Sequence, residues 1–245
     1  MIKLNFKNYK EKYLFFIALF LFLFWVFDSI VTLIFSTPLR LFWFCSLSLL
    51  IVAILILIKK SDILLGFLSV SLIFQGIWII DILSWVFLGK NIFWTSSYLF
   101  LPEFPKMEIF STMKHFFMIP LEFFAFIFMS KLPKNFYNVV LNIFLFSLGF
   151  LGLSLIFGPE NNINYVYYLP FRFYSIFPNY LIFFLSYLLF VIVSGSLIGY
   201  LIYSIFKKHK RLFNLKSLKL YFWIILILCF IIALKIISFI LDIRG

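Results

Sequence analysis

Seven stretches of this chain are each long enough and apolar enough to cross a bilayer: about 13–35, 39–58, 63–88, 111–130, 136–157, 178–206 and 219–241. A helix needs about 20 such residues to cross a hydrocarbon core about 30 Å thick. Backbone N–H and C=O groups in lipid have to be satisfied within the segment, which helices achieve. Barrel strands alternate in polarity over about ten residues, and these runs do not. The expected fold is an all-α polytopic membrane helix bundle of about seven spans, forming a single integral membrane domain over 1–245. Composition excludes the alternatives. Charged residues are 12% and hydrophobic ones 65%, whereas a soluble domain carries about a quarter charged, so there is too little polarity to cover a water-facing surface. The same hydrophobicity excludes disorder.

The breaks between spans have local causes. Pro38 lacks an N–H and restricts Thr37, separating the first two spans. Lys59-Lys60-Ser61-Asp62 divides the second from the third, Pro133 stands between the fourth and fifth, and Pro170 and Pro178 frame the entry to the sixth. The first stretch follows Lys3, Lys7, Lys10 and Lys12. Its apolar run of about 23 residues exceeds a signal peptide's core and no small-x-small cleavage site follows, so it is read as a retained span.

Lysine and arginine assign the orientation, because cytoplasmic loops collect them. With the N-terminus inside, that side holds 14 of the 21 basic residues, in all four of its segments. The other side holds Arg40, Lys90, Lys106, Lys114, Arg172, Lys235 and Arg244. The expectation is N-in and C-out in a cell membrane, most naturally a prokaryotic plasma membrane. The net charge of +12 is thereby a topology signal. Nucleic acid is not an expected partner, since the charges are spread over short segments with no folded domain to present them; membrane lipids are. Lys207-Lys208-His209-Lys210-Arg211 reads either as part of that signal or as a holder of anionic headgroups. The two longer loops, about 89–110 and 158–177, both fall outside.

Ionisable residues within spans cost about 2.5–3.5 kcal/mol each on insertion scales and are functional candidates by default. Here they are Asp28, Asp81, Lys114, His115, Glu122 and Lys235. Asp28, Asp81 and His115 share the outer half of the membrane. Glu122 follows His115 by seven residues, nearly two turns, so both project from one helix face about 10 Å apart, and Ser111 extends that stripe. Trp78 and Trp85 flank Asp81, with Gln75 below; Trp25, Asp28 and Thr32 share a face of the first span. Arg40, Lys114 and His115 are at the depth to supply donors to the two aspartates. Two readings stay open: a functional cluster, or buried ion pairs that hold helices together.

In the outer loops, Gly158-Pro159-Glu160-Asn161-Asn162-Ile163-Asn164-Tyr165 offers three amides, among them Asn162 and Asn164, to a ligand or to the turn itself. Trp94-Thr95-Ser96-Ser97-Tyr98 carries aromatics that suit the membrane interface. Gly195 and Gly199 form a Gly-x-x-x-Gly pattern that brings helices close, within the chain or between copies. No phosphate-binding loop, metal-ligand spacing or Gly-x-Ser-x-Gly elbow is present, and Cys45 and Cys229 are the two cysteines. No cofactor and no metal is expected. The 39 Phe residues read as an aromatic lining or as a coding bias, since any bulky apolar side chain satisfies lipid.

Gln75-Gly76-Ile77-Trp78 with Asp81, Gly89 with Thr95 and Tyr98, Ser111 through His115 with Pro120, and Asn162-Ile163-Asn164-Tyr165 together resemble the ordered signature of an uncharacterised prokaryotic multi-pass membrane-protein family. The resemblance covers about 75–178. It implies a location and candidate residues, and no reaction. A weaker likeness connects the chain to small integral-membrane hydrolases that pair a Thr with a His, where Thr32, Thr95 or Thr112 is the candidate Thr beside His115.

Three functional readings follow. The leading one is a protein that binds or passes a lipid or small hydrophobic molecule at a polar cluster near the outer face, with Asp28, Trp78, Glu122, Asn162 and Asn164 in contact. The alternative is an intramembrane hydrolase or acyltransferase with His115 as general base, assisted by Asp81. The third is a structural subunit of a larger assembly.

Overall fold

The computed structural model of the protein describes residues 9–93, 95–101, 104–129, 131–156, 180–209 and 215–243. Among them every regular element is a helix. In chain order these are α1 (Tyr9–Phe35), a 3₁₀ turn (Pro38–Phe42), α2 (Phe44–Ile58), α3 (Ser61–Leu88), a second 3₁₀ turn (Ser97–Phe100), α4 (Lys106–Ser111), α5 (Lys114–Met129), α6 (Phe136–Ile156), α7 (Tyr180–His209) and α8 (Leu215–Ile243). Six helical stretches, with α4 and α5 taken as one, are long and apolar enough to cross a membrane, and α2 is a shorter apolar helix of 15 residues. The protein is an all-α, multi-pass membrane helix bundle. Its outward faces carry large apolar side chains, such as Phe87, Ile156 and Leu197, over an extent that a water-soluble surface does not tolerate.

Two expected spans differ in detail. The stretch 39–58 is not one helix. Pro38 opens a 3₁₀ turn, Trp43 is extended (φ −63°, ψ 143°), and α2 begins only at Phe44. Its 15 residues rise about 22 Å, short of the hydrocarbon thickness. The fourth span starts earlier than 111, at Lys106, and is interrupted at Thr112–Met113. There the backbone tightens to i→i−3 bonds: Met113 N–H to Phe110 O, His115 N–H to Thr112 O and Phe116 N–H to Met113 O. Ser111 therefore belongs to α4 and does not continue the α5 stripe.

The centre of the bundle is α3 together with α4–α5. In their most apolar stretches 61% and 72% of residues are buried, against 22% in α7 and α8. α5 packs between α1 and α3, with α8 also against it, and α6 and α7 cover the other side of α3. A Phe cluster fills the space among α2, α3 and α6: Phe44 stacks on Phe74 with ring centroids 4.6 Å apart and meets Phe150 at 4.5 Å. Such ring pairs add about 0.5–1.5 kcal/mol beyond their burial.

Close helix approaches depend on glycine. A Cβ on Gly66 would stand 2.7 Å from Asn142 Cβ and 3.1 Å from the Val139 carbonyl, so α3 and α6 touch there backbone to backbone. Gly199 faces Ser69 and Gly195 faces Ile143, so the Gly-x-x-x-Gly pair packs against α3 and α6 of its own chain. Gly66→Val is expected to lower unfolding stability in detergent by about 1–3 kcal/mol through overpacking. Gly149→Val, where no atom lies within 4 Å of an added Cβ, is expected to change it by less than about 0.5 kcal/mol. Thermal unfolding of the two purified variants checks the contrast.

Candidate functional site

The polar residues separate into five local arrangements, four of them at the membrane level where α1 and α3 end and α2 and α5 begin. Successive residues of a helix point about 100° apart. At the start of α5 that angle turns Lys114 toward α1 and α2 and its neighbour His115 toward α3.

Lys114 Nζ donates to Asp28 Oδ1 at 2.6 Å and to Ser46 Oγ at 2.9 Å. Asp28 is wholly buried and Lys114 nearly so. Asp28 thus has the cation partner expected of it, and the contact joins α1, α2 and α5. Arg40 does not serve either aspartate. It pairs with Glu108 of α4, and its guanidinium lies over the rings of Phe104 (5.2 Å) and Trp43 (5.6 Å). Glu108 was not legible as a partner because it falls in what reads as a loop.

Asp81 finds its donors in the segment that follows α3. Oδ1 accepts the Phe93 N–H at 2.7 Å. Oδ2 accepts the Ser96 N–H at 2.8 Å, the Ser96 hydroxyl at 2.9 Å and the Thr95 hydroxyl at 3.3 Å. Ser84 Oγ reaches the Asp81 and Lys90 carbonyls at 2.8 and 3.0 Å. Gly89 ends α3 in the left-handed region (φ 65°), which lets the chain turn back over Asp81. Asp81 anchors Phe93, Thr95 and Ser96, whose amides and hydroxyls are its donors.

His115 Nδ1 hydrogen-bonds Gln75 Oε1. A carbonyl oxygen only accepts, so Nδ1 carries the proton and Nε2 is the nitrogen whose lone pair can accept. The ring lies flat on Trp78, centroids 3.9 Å apart and planes at 11°. Trp78 Nε1 donates to Tyr98 Oη at 3.1 Å, and Tyr98 meets Trp43 edge to face. These groups line a cavity of about 80 Å³, which Cys45, Thr95 and Tyr187 also border. The cavity is mostly aromatic, with His115, Gln75, Thr95, Tyr98 and Tyr187 among the residues that bring polar groups to its lining. It has room for a few waters or a group of a few heavy atoms.

Deeper, Ser71 Oγ donates to Glu122 Oε1 at 3.0 Å. Glu122 is fully buried and stands apart from the cavity. Two apolar grooves of about 860 and 750 Å³ lie between α1 and α8 over α5, walled by residues such as Phe20, Trp223 and Leu226. They share no lining residue with the His115 cavity.

The structure therefore brings together His115, Trp78 and, through Thr95, Asp81. Asp28 lies one helix away beyond Lys114, and Glu122 about two turns below. Asn162 and Asn164 lie outside the described residues. Gln75, Ser46, Ser71 and Glu108 are the partners that sequence reasoning passed over or left unassigned. Among the described residues no three His, Cys, Asp or Glu side chains gather as a metal site requires, and Cys45 and Cys229 are both free thiols. No protein-family model, no curated protein and no solved structure matches this chain.

Two expectations test these assignments. Lys114→Ala leaves Asp28 buried without its cation and is expected to cost about 3–5 kcal/mol, whereas Asp28→Leu combined with Lys114→Met restores most of the loss; unfolding in detergent measures both. Asp81→Ala removes the acceptor of Phe93, Thr95 and Ser96. Amide hydrogen exchange at Phe93 and Ser96 is expected to rise about tenfold or more, because each bond to a carboxylate is worth about 1.5–3 kcal/mol.

Proposed function

We propose that the protein binds the polar end of a lipid or small hydrophobic molecule in the His115 cavity, near the extracytoplasmic face of a prokaryotic plasma membrane. The observation that carries this reading is the His115–Gln75 hydrogen bond set in the wall of an otherwise aromatic cavity. Sites for small molecules combine apolar walls with a few placed polar groups. At about 80 Å³ the cavity suits a headgroup fragment or a single polar function, not a whole ligand of drug size. The rest of the molecule would lie in the bilayer or along the aromatic rim of Trp43 and Tyr98. The side assignment rests on the basic residues of the four inner segments, and Glu11–Lys59, an ion pair of 2.9 Å joining the start of α1 to the end of α2, lies on that inner side.

The test is lipid analysis of the purified full chain. Wild-type protein in mild detergent is expected to retain a defined lipid or small apolar molecule. His115→Ala and Gln75→Leu each remove one hydrogen-bonding group and are expected to weaken retention about tenfold, the equivalent of about 1.4 kcal/mol. An unchanged extract from both variants would exclude this site as the place of binding.

A second reading, an intramembrane hydrolase or acyltransferase, is favoured by one observation: Thr95 and His115 border the same cavity, and the Thr95 hydroxyl is 3.3 Å from Asp81 Oδ2. In it His115 Nε2 is the general base. It requires ester turnover that Thr95→Val abolishes while lipid retention persists.

A further inference from the structure

Glu122 is the buried ionisable group for which the cavity has no use. It is 0% exposed, and its Oε2 has no hydrogen-bond partner among the described residues. Its Oε1 is met by the Ser71 hydroxyl. Ser71 lies ten residues into α3, about 15 Å from the helix's inner end and so near the middle of a core about 30 Å thick. As a structural device this pair is poor. A serine hydroxyl in lipid can satisfy itself on its own helix, as Ser69 does on the Leu65 carbonyl at 2.7 Å. A carboxyl with one open oxygen carries a desolvation cost that an apolar residue would not. Ionisable groups at such depth mark ion and proton sites.

A second observation links Glu122 to the cavity. Ser71 and Gln75 are one turn apart on α3, and Glu122, Met118 and His115 succeed one another on the facing side of α5. The seam between the two helices carries three polar contacts in order: Ser71 to Glu122, Gln75 Nε2 to Met118 Sδ at 3.7 Å, and His115 to Gln75. Gln75 is at once a wall of the cavity and the next polar group above Ser71. The rise between them is about 6 Å, within the reach of a chain of one or two waters.

We propose that Glu122 is a proton-binding site in exchange with the His115 cavity along the α3–α5 seam. On uptake a hydronium ion in the cavity passes its proton to Oε2 of the carboxylate and becomes water; release is the reverse. The charged and titratable groups on the helices packed against α5 are placed elsewhere. On α1, Asp28 is held by Lys114 and Glu11 by Lys59, while Tyr9, Lys10, Lys12 and Tyr13 lie in its first turns. On α2 there is Cys45, at the cavity. On α3, Asp81 is held by the loop and Asp62 is in the first turn. On α8, Lys235, Tyr221 and Asp242 are exposed and Cys229 is half-buried. On α7, whose Phe206 meets Phe123 and Phe126 of α5, Tyr187 borders the cavity, Tyr200 and Lys208 are exposed, and Lys207 is exposed over the Tyr203 ring. On α5 itself, Lys114 and His115 stand two turns above. Among the described residues no cation pairs with Glu122, so the proton is its natural counter-charge.

The test is difference infrared spectroscopy of the full chain in nanodiscs, without added ligand. A protonated-carboxyl C=O band that shifts in D₂O and is missing from Glu122→Gln is expected, since the amide keeps an oxygen for Ser71 and loses the proton. Gln75→Leu interrupts the seam and is expected to slow that exchange about tenfold or more. If Glu122→Gln fails to fold, labelling of the wild type by a hydrophobic carbodiimide, mapped to Glu122 by peptide mass spectrometry, identifies the group. A carboxyl band that does not respond to D₂O, or no adduct on Glu122, overturns the proposal. Lipid retention in the cavity is read separately, so either idea can fail alone.

Discussion

A lysine ammonium inside a lipid-facing bundle has to find an anion and acceptors, and Lys114 finds Asp28 and Ser46. Much of the arrangement follows from that pairing. It ties the start of α5 to α1 and α2 at one membrane level. Because α5 restarts at Lys114 after the tightened turn at Thr112–Met113, the next residue, His115, is aimed about 100° away, at Gln75 and Trp78 of α3. One buried ion pair thus sets the rotation of the helix that carries the imidazole. Buried pairs stabilise little compared with a well-packed apolar alternative. The gain here is a defined rotation and depth for α5.

Polarity within the bundle falls into two kinds. Ser48, Ser69, Ser147 and Ser154 bond the carbonyl four residues back on their own helices. Those bonds run within one helix and do not tie it to another. Ser46 and Ser71 instead bond across helices, to Lys114 and Glu122. The difference between self-satisfied and cross-helix hydroxyls separates neutral polarity from the polarity that organises the site. The α3–α4 segment follows the same logic: its amides and hydroxyls converge on Asp81, which keeps Thr95 and Tyr98 over the cavity.

Much of the fold is readable in the primary structure. Runs of apolar residues of spanning length, bounded by prolines and lysines, mark the helices to within a few residues, because lipid imposes the same demand on each of them. The exceptions are instructive. Arg40 and Glu108 are 68 residues apart, and their contact joins the 3₁₀ turn that precedes α2 to α4. A pairing at that separation leaves no local trace in hydropathy. Likewise Asp81 looks like an intramembrane acid waiting for a cation, yet its donors include backbone amides twelve and fifteen residues on and the Thr95 and Ser96 hydroxyls, which no sequence pattern advertises.

The amino-acid sequence by itself determined that this chain is a multi-pass helical membrane protein, which residues are costly to bury, and which end of the bundle collects most of them. Those properties depend on composition and on one-dimensional spacing, and the bilayer reads both directly. Tertiary structure alone decided the partners: that Lys114 goes to Asp28, that Gln75 holds His115, that Asp81 gathers a loop, and that Glu122 meets a single hydroxyl. Partner choice depends on helix rotation and crossing, which arise from contacts between residues distant in sequence, such as Gly66 against Asn142. Spacing along one helix fixes a face, but only packing says what that face meets.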